Sequence, residues 1–155
     1  DVELRLLGDG ALRGSLEDLS KTLSISDKVH FEGFSLDTAR FLGSIDIFVI
    51  SSSSEGLPLT LLEAMGAALP IIATAVGEIP AIVGNAKCGW ICPPADSDEL
   101  AGVMEQALLA PDLAMTGARG RSVVRERHSL DRMAQDYEQL YKEILSVNTI
   151  QSIYS

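Results

Sequence analysis

Glu55 and Glu63, separated by seven residues, are the carboxylates of this sequence whose surroundings suit chemistry. They lie in the stretch Ser54-Glu55-Gly56-Leu57-Pro58-Leu59-Thr60-Leu61-Leu62-Glu63-Ala64-Met65, which follows an apolar strand pattern and opens a helical one. In an open α/β sheet such a junction lies at the carboxyl ends of the strands, where ligands bind. The first N–H groups of a helix lack intrahelical acceptors and together act as about half a positive charge, so they receive an anion such as a diphosphate without a lysine. Glu55 stands in the loop before the helix and Glu63 nearly two turns into it, which lets the pair reach different parts of one elongated ligand. Ordinary roles remain open for these residues taken singly. Glu63 also suits a solvated helix face, Glu55 the positive end of the helix, and Pro58 and Thr60 the start of the helix.

The elements that must hold this stretch alternate along the chain. Val2–Leu7 reads as a strand ending in Gly8-Asp9-Gly10, and Leu12, Leu16, Leu19 and Leu23 recur at helical spacing after it. Val29-His30-Phe31 is a second strand and 38–42 a short helix. Ile45–Ile50 is almost wholly apolar, as in a parallel strand covered on both faces. A helix is then expected over 58–68 with Pro58 in its first turn, a strand over 70–73, a short helix over 78–83 and a strand over 87–92. Helices over 99–109, 113–127 and 130–145 close the pattern, with residues 147–155 as a flexible tail. Strands alternating with helices imply a parallel, doubly wound α/β sheet, and a chain of 155 residues fits one domain with one continuous core.

Composition narrows the function. Hydrophobic residues at 46% and charged residues at 22% are those of a folded globular protein. The net charge of −10 repels nucleic acid and anionic lipid, and it leaves a phosphate ligand dependent on local N–H groups. Cys88 and Cys92 share one face of a strand about 13 Å apart, too far for a disulfide, and read as two buried thiols in a reducing compartment. No His/Cys cluster has zinc spacing, no apolar run reaches membrane-spanning length and no signal peptide is visible, so a cytoplasmic protein is expected.

Glu55 and Glu63 with their flanks resemble the E-x7-E signature of retaining GT-B glycosyltransferases of group 1. The resemblance extends through Asp46-Ile47-Phe48-Val49, Pro70-Ile71-Ile72-Ala73-Thr74, Val76-Gly77, Gly89-Trp90-Ile91, Pro93-Pro94 and Tyr137-Glu138-Gln139-Leu140-Tyr141. Upstream it takes in Gly8-Asp9-Gly10 and Val29-His30-Phe31-Glu32-Gly33-Phe34, and so covers nearly the whole chain. It implies the carboxy-terminal, Rossmann-like donor domain, here residues 1–146, of an enzyme that moves a sugar from a nucleoside-diphosphate sugar to an acceptor hydroxyl. By the same resemblance Glu63 would bind the ribose hydroxyls and Glu55, the catalytic candidate, would stand by the donor sugar. Gly56, Leu57, Pro58 and Leu59 would line the sugar, Leu59 and Thr60 would approach the diphosphate, and Phe34 would lie near the base, although Phe34 equally suits a core. The chemistry is coherent: departure of the diphosphate leaves positive charge at the anomeric carbon and negative charge on the leaving oxygens, which a carboxylate and helix N–H groups respectively stabilise. No metal or cofactor is required by the sequence.

Three positions depart from the family pattern. Ala68 stands where a glycine usually precedes the Pro70 strand, Glu78 replaces the second glycine of a Gly-Gly turn, and Ala81 takes a position often held by glutamate. The family also places a first strand, an arginine and a lysine directed at the diphosphate, and an acceptor-binding domain ahead of the position of Asp1. The resemblance therefore implies that the first strand of the order 3-2-1-4-5-6, the main cations of the site, the contacts to a glycan, lipid-linked or small-molecule acceptor and any peripheral attachment to the inner membrane come from sequence outside these residues. A nucleotide-sugar-binding or interaction domain without transferase activity and a GT-B sugar-nucleotide epimerase share the fold and stand as alternatives.

Overall fold

The structure, a computed structural model, describes residues 2–153, with side chains described over residues 2–146. It divides into two compact units, 1–44 and 45–155, where one continuous core was expected from length. In the first, β1 (Leu4–Leu7) and β2 (Val29–Gly33) pair in parallel, with Leu4 opposite Val29 and Leu6 opposite Phe31. They are joined by α1 (Arg13–Thr22), and α2 (Thr38–Leu42) follows, its first turn capped by the Asp37 carboxylate accepting from Arg40 N–H at 3.1 Å. Arg5 ties the unit together. Its guanidinium bonds Glu32 at 2.7 Å and the Ser44 hydroxyl at 2.6 Å, and lies 5.2 Å from the Phe41 ring centre. Leu12, Leu16, Leu19 and Leu23 have the predicted helical spacing yet all remain exposed.

The second unit holds the sheet β3-β4-β5, formed by Phe48–Ile50, Ile71–Thr74 and Gly89–Cys92, all parallel. Strand β4 is central and every residue in it is buried. Ile72 joins Cys92, Val103 and Ala107 in one cluster, against which Val49, Trp90 and Leu100 pack, so α5 (Ser97–Leu108) covers that side of the sheet. Helices α3 (Leu59–Gly66) and α4 (Ile79–Ala86) supply Leu61, Met65, Ile79 and Val83, all fully buried. Burial of each such side chain contributes about 1.5–3 kcal/mol relative to exposure.

Helix α6 (Leu113–Arg127) approaches α3 through glycine: a Cβ on Gly117 would collide with the Ala68 carbonyl, and one on Gly120 would lie 3.1 Å from the Cys88 Cβ. Helix α7 (Leu130–Ile153) runs past the expected end at 145, and within the tail expected over 147–155 residues 154 and 155 lie outside the described residues.

Several boundaries shift for local reasons. Pro58 is the cap of α3 rather than part of its first turn, with ψ 128° in the extended range. Strand β5 starts at Gly89 because Lys87 adopts φ 51°, turning the chain out of α4, and Lys87 O accepts from Arg119 Nε at 2.7 Å. The α3 terminus closes through Ala68 N–H to Met65 O and Leu69 N–H to Ala64 O, both 3.0 Å, with Ala68 at φ 63° in the left-handed position that glycine favours. Both cysteines are free and buried. Burial pushes the Cys88 thiol up to about 11, and burial raises that of Cys92 as well.

Candidate functional site

The site grows from the loop between β3 and α3. Ile50 ends β3 buried, and the polar run that follows cannot continue into the core, so the chain emerges at the carboxyl end of the strand. Thr74, the last residue of β4, holds the emerging loop. Its hydroxyl donates to Ser52 O at 2.6 Å, and Ser52 Oγ donates to Glu55 Oε1 at 2.8 Å. Glu55 is half-buried, and no described residue donates to its other oxygen, Oε2.

A turn from the next crossover clasps the same loop. Glu78 N–H donates to Gly56 O at 3.0 Å, and Gly77, at φ 52°, comes so close that a Cβ there would collide with the carbonyl oxygens of Glu55 and Gly56. One departure noted in the sequence thereby finds its place. Glu78 has φ −83°, a conformation open to any residue, so the turn does not require glycine at this position.

Gly56 has open space around it, with no atom within 4 Å of an added Cβ. Leu57, Leu59 and Thr60 are exposed and Pro58 is half-buried. No side chain caps the amino terminus of α3 and its first turn holds no acidic residue, so the N–H groups at Leu59 and Thr60 meet no competing carboxylate. Glu63 is exposed, and among the described residues none pairs with its carboxylate. Since the helix begins at Leu59, Glu63 stands about 6 Å along the axis from its first residue, nearer than the almost two turns read from the sequence.

The structure therefore brings Glu55, Gly56, Leu57, Pro58, Leu59, Thr60 and Glu63 onto one loop and helix start. Phe34 follows β2 in the other unit and is 75% exposed, which removes its alternative role as a core residue. Sequence reading passed over Ser52 and Thr74. It also passed over an open cleft of about 330 Å³ at the carboxyl ends of the strands, lined by Ser51, Thr74, Ala95, Asp96, Ser97 and Leu100. Asp96 there caps α5, accepting from Glu99 N–H at 3.0 Å. Among the described residues no three His, Cys, Asp or Glu side chains gather as a metal would need, and no helix is long and apolar enough to cross a membrane.

Known proteins resemble this chain in sequence and in fold. The family described as glycosyl transferases group 1 matches residues 1–121. The N-acetyl-alpha-D-glucosaminyl L-malate synthase of Bacillus anthracis is 33% identical over 146 residues, covering 94% of this chain and 38% of that protein. The MMP alpha-(1->4)-mannosyltransferase of Mycolicibacterium hassiacum is 34% identical over 150 residues, covering 94% of this chain and 36% of its own length. The solved sucrose-phosphate synthase from Thermosynechococcus elongatus superposes with a TM-score of 0.83 at 28% identity, over 94% of this chain and 39% of that one. The chain thus spans well under half the length of each of these proteins.

Proposed function

The chain belongs to the group 1 glycosyl transferases, and from that membership we propose that it forms the donor-binding half of an enzyme that moves a sugar from a nucleoside-diphosphate sugar to an acceptor hydroxyl with retention of configuration, in glycan or polysaccharide synthesis. The observation that carries this reading is the disposition of the two glutamates about the start of α3. Glu55 is held in the preceding loop by Ser52, Glu63 is unpaired on the helix, and an amino terminus free of acidic side chains lies between them. Such an arrangement suits a ligand with a sugar at one end, a ribose at the other and a diphosphate in the middle. Two relatives whose names denote a glucosaminyl product and a mannosyl transfer support the choice of a hexosyl-type donor.

In this reading the N–H groups at Leu59 and Thr60 receive the diphosphate and stabilise the charge that grows on it as it departs. The carboxylate of Glu55 faces the positive charge developing at the anomeric carbon, while Glu63 accepts hydrogen bonds from the ribose hydroxyls. The helix N–H groups of α3 supply the positive end that the diphosphate charge requires here.

Calorimetry of the intact protein with UDP, GDP and ADP, followed by incubation with the matching sugar nucleotide and NMR of the anomeric product, tests the reading. Binding of one nucleotide and an axial-to-axial outcome are expected. Binding without turnover across a panel of hydroxyl acceptors would favour the non-catalytic alternative, and an inverted product would remove retention.

A further inference from the structure

Resting on the reading of Glu55 as the carboxylate beside the donor sugar, we propose that Ser52 is a positioning residue for Glu55 and that Thr74 holds Ser52 in place. The three residues form a chain of hydrogen bonds from the sheet to the carboxylate. Thr74 lies on the central strand, 3% exposed, and is paired in the ladder with Cys92, so its hydroxyl is anchored on a buried, hydrogen-bonded strand. It donates to Ser52 O at 2.6 Å, across to the end of β3, where Ile50 is opposite Ala73. Ser52 Oγ then donates to Glu55 Oε1 at 2.8 Å, within the range of a good hydroxyl to carboxylate bond.

The geometry divides the carboxylate's two oxygens. Oε1 is committed to Ser52, whereas Oε2 accepts from no described residue and is left for a ligand. A glutamate on a loop samples several rotamers about its side-chain torsions, and only some of these would place an oxygen beside a sugar. One hydrogen bond to Oε1 selects among them without removing the charge. The turn at Gly77 and Glu78 holds the backbone of the same loop, so Ser52 governs the side chain of Glu55 over a main chain that is already fixed.

Turnover by the intact protein is measured with whichever of UDP-glucose, UDP-N-acetylglucosamine and GDP-mannose the wild type uses fastest. Ser52→Ala is expected to lower kcat about tenfold to a hundredfold, as loss of a supporting hydrogen bond does at other sites. The Kd for the free nucleoside diphosphate should stay within about twofold, because Glu55 and Ser52 stand away from the nucleotide. Ser52→Thr should restore most of the rate, and Thr74→Ser should outperform Thr74→Val, which keeps the shape but lacks the hydroxyl.

The decisive arm is the double variant. If Ser52 acts through Glu55, then Ser52→Ala adds no further loss to Glu55→Ala. Multiplying losses, or a wild-type rate in Ser52→Ala, would overturn the positioning role while leaving the reading of Glu55 intact. A wild-type rate in Glu55→Ala alone would overturn that reading, and the positioning role with it.

Discussion

Gly77 stands so close to Glu55 that a methyl group on its Cα would overlap the Glu55 carbonyl oxygen. The contact joins the turn after β4 to the loop after β3, and the bond from Glu78 N–H to Gly56 O fastens it at 3.0 Å. Two crossovers of the sheet thus meet at the backbone of Glu55 and Gly56, and the absence of a side chain at Gly77 lets them do so.

Gly77→Ala is expected to be damaging on two counts. At φ 52° a Cβ costs about 1–2 kcal/mol for the left-handed backbone, and the collision with two carbonyls must also be relieved by moving the loop. Thermal denaturation of this chain should fall by about 2–8 °C, with a loss of turnover in the intact protein larger than the loss of nucleotide affinity. Glu78→Gly, one residue on, serves as the contrast. Its φ of −83° needs no glycine, so stability should change by roughly 0.5–1 kcal/mol or less. A benign Gly77→Ala would show that the turn can retreat from the loop without consequence.

Ala68→Gly is expected to stabilise the chain. Ala68 closes α3 from φ 63°, with both bonds of the terminal motif formed at 3.0 Å. Removing the Cβ relieves a left-handed alanine, and the gain, less the greater freedom of glycine in the unfolded chain, comes to about 0.5–1 kcal/mol. Urea denaturation would show it as a higher midpoint at unchanged slope. A lower midpoint would mean that the Ala68 methyl contributes packing worth more than the strain.

Much of this organisation is legible in the sequence because the signals are local. The apolar run into Ile50, the serines after it and the helical pattern beyond place the junction that carries Glu55 and Glu63, and α6 begins and ends at 113 and 127 as its pattern implies. The left-handed turn at Lys87 is not legible, since neither glycine nor asparagine marks it. The positions of Ser52 and Thr74 are likewise hidden: one serine in a run of four is singled out only by its bonds to Glu55 and to a threonine 22 residues away. The helical spacing of the α1 leucines fixes the helix but not what covers it, and those side chains stay exposed.

The thiol of Cys88 sets an alkaline limit on stability. Burial pushes it up to about 11 from an ordinary 9.0, so the folded chain holds its proton over a range where the unfolded chain releases it. The contribution is complete below about pH 9 and is lost as pH rises through about 11, since the unfolded state binds fewer protons there. Chemical denaturation at stepped pH should show stability falling over that window, and the slope should lessen in Cys88→Ala. Iodoacetamide at pH 8 should modify the folded chain far more slowly than the unfolded one. Rapid labelling of the native protein at Cys88 would contradict the burial on which the argument rests.

The two glutamates should separate by what each mutation costs. Glu63 is exposed and unpaired, so nothing in the protein compensates for its removal and nothing is left unsatisfied by it. If its carboxylate accepts ribose hydroxyls, Glu63→Ala should weaken binding of the free nucleoside diphosphate by about 1.5–3 kcal/mol, the scale of charged hydrogen bonds. Glu55 already has one oxygen engaged by Ser52 and stands in the loop before the helix. Glu55→Gln keeps an oxygen that can accept from Ser52 while removing the charge, so nucleotide affinity should be almost unchanged and kcat with the sugar nucleotide should fall. Titration calorimetry of both variants in the intact protein, beside an assay of transfer, reads the difference directly. Equal losses of affinity would refute the division of labour. Wild-type affinity in Glu63→Ala would take the ribose away from Glu63 and leave α3 with the diphosphate alone.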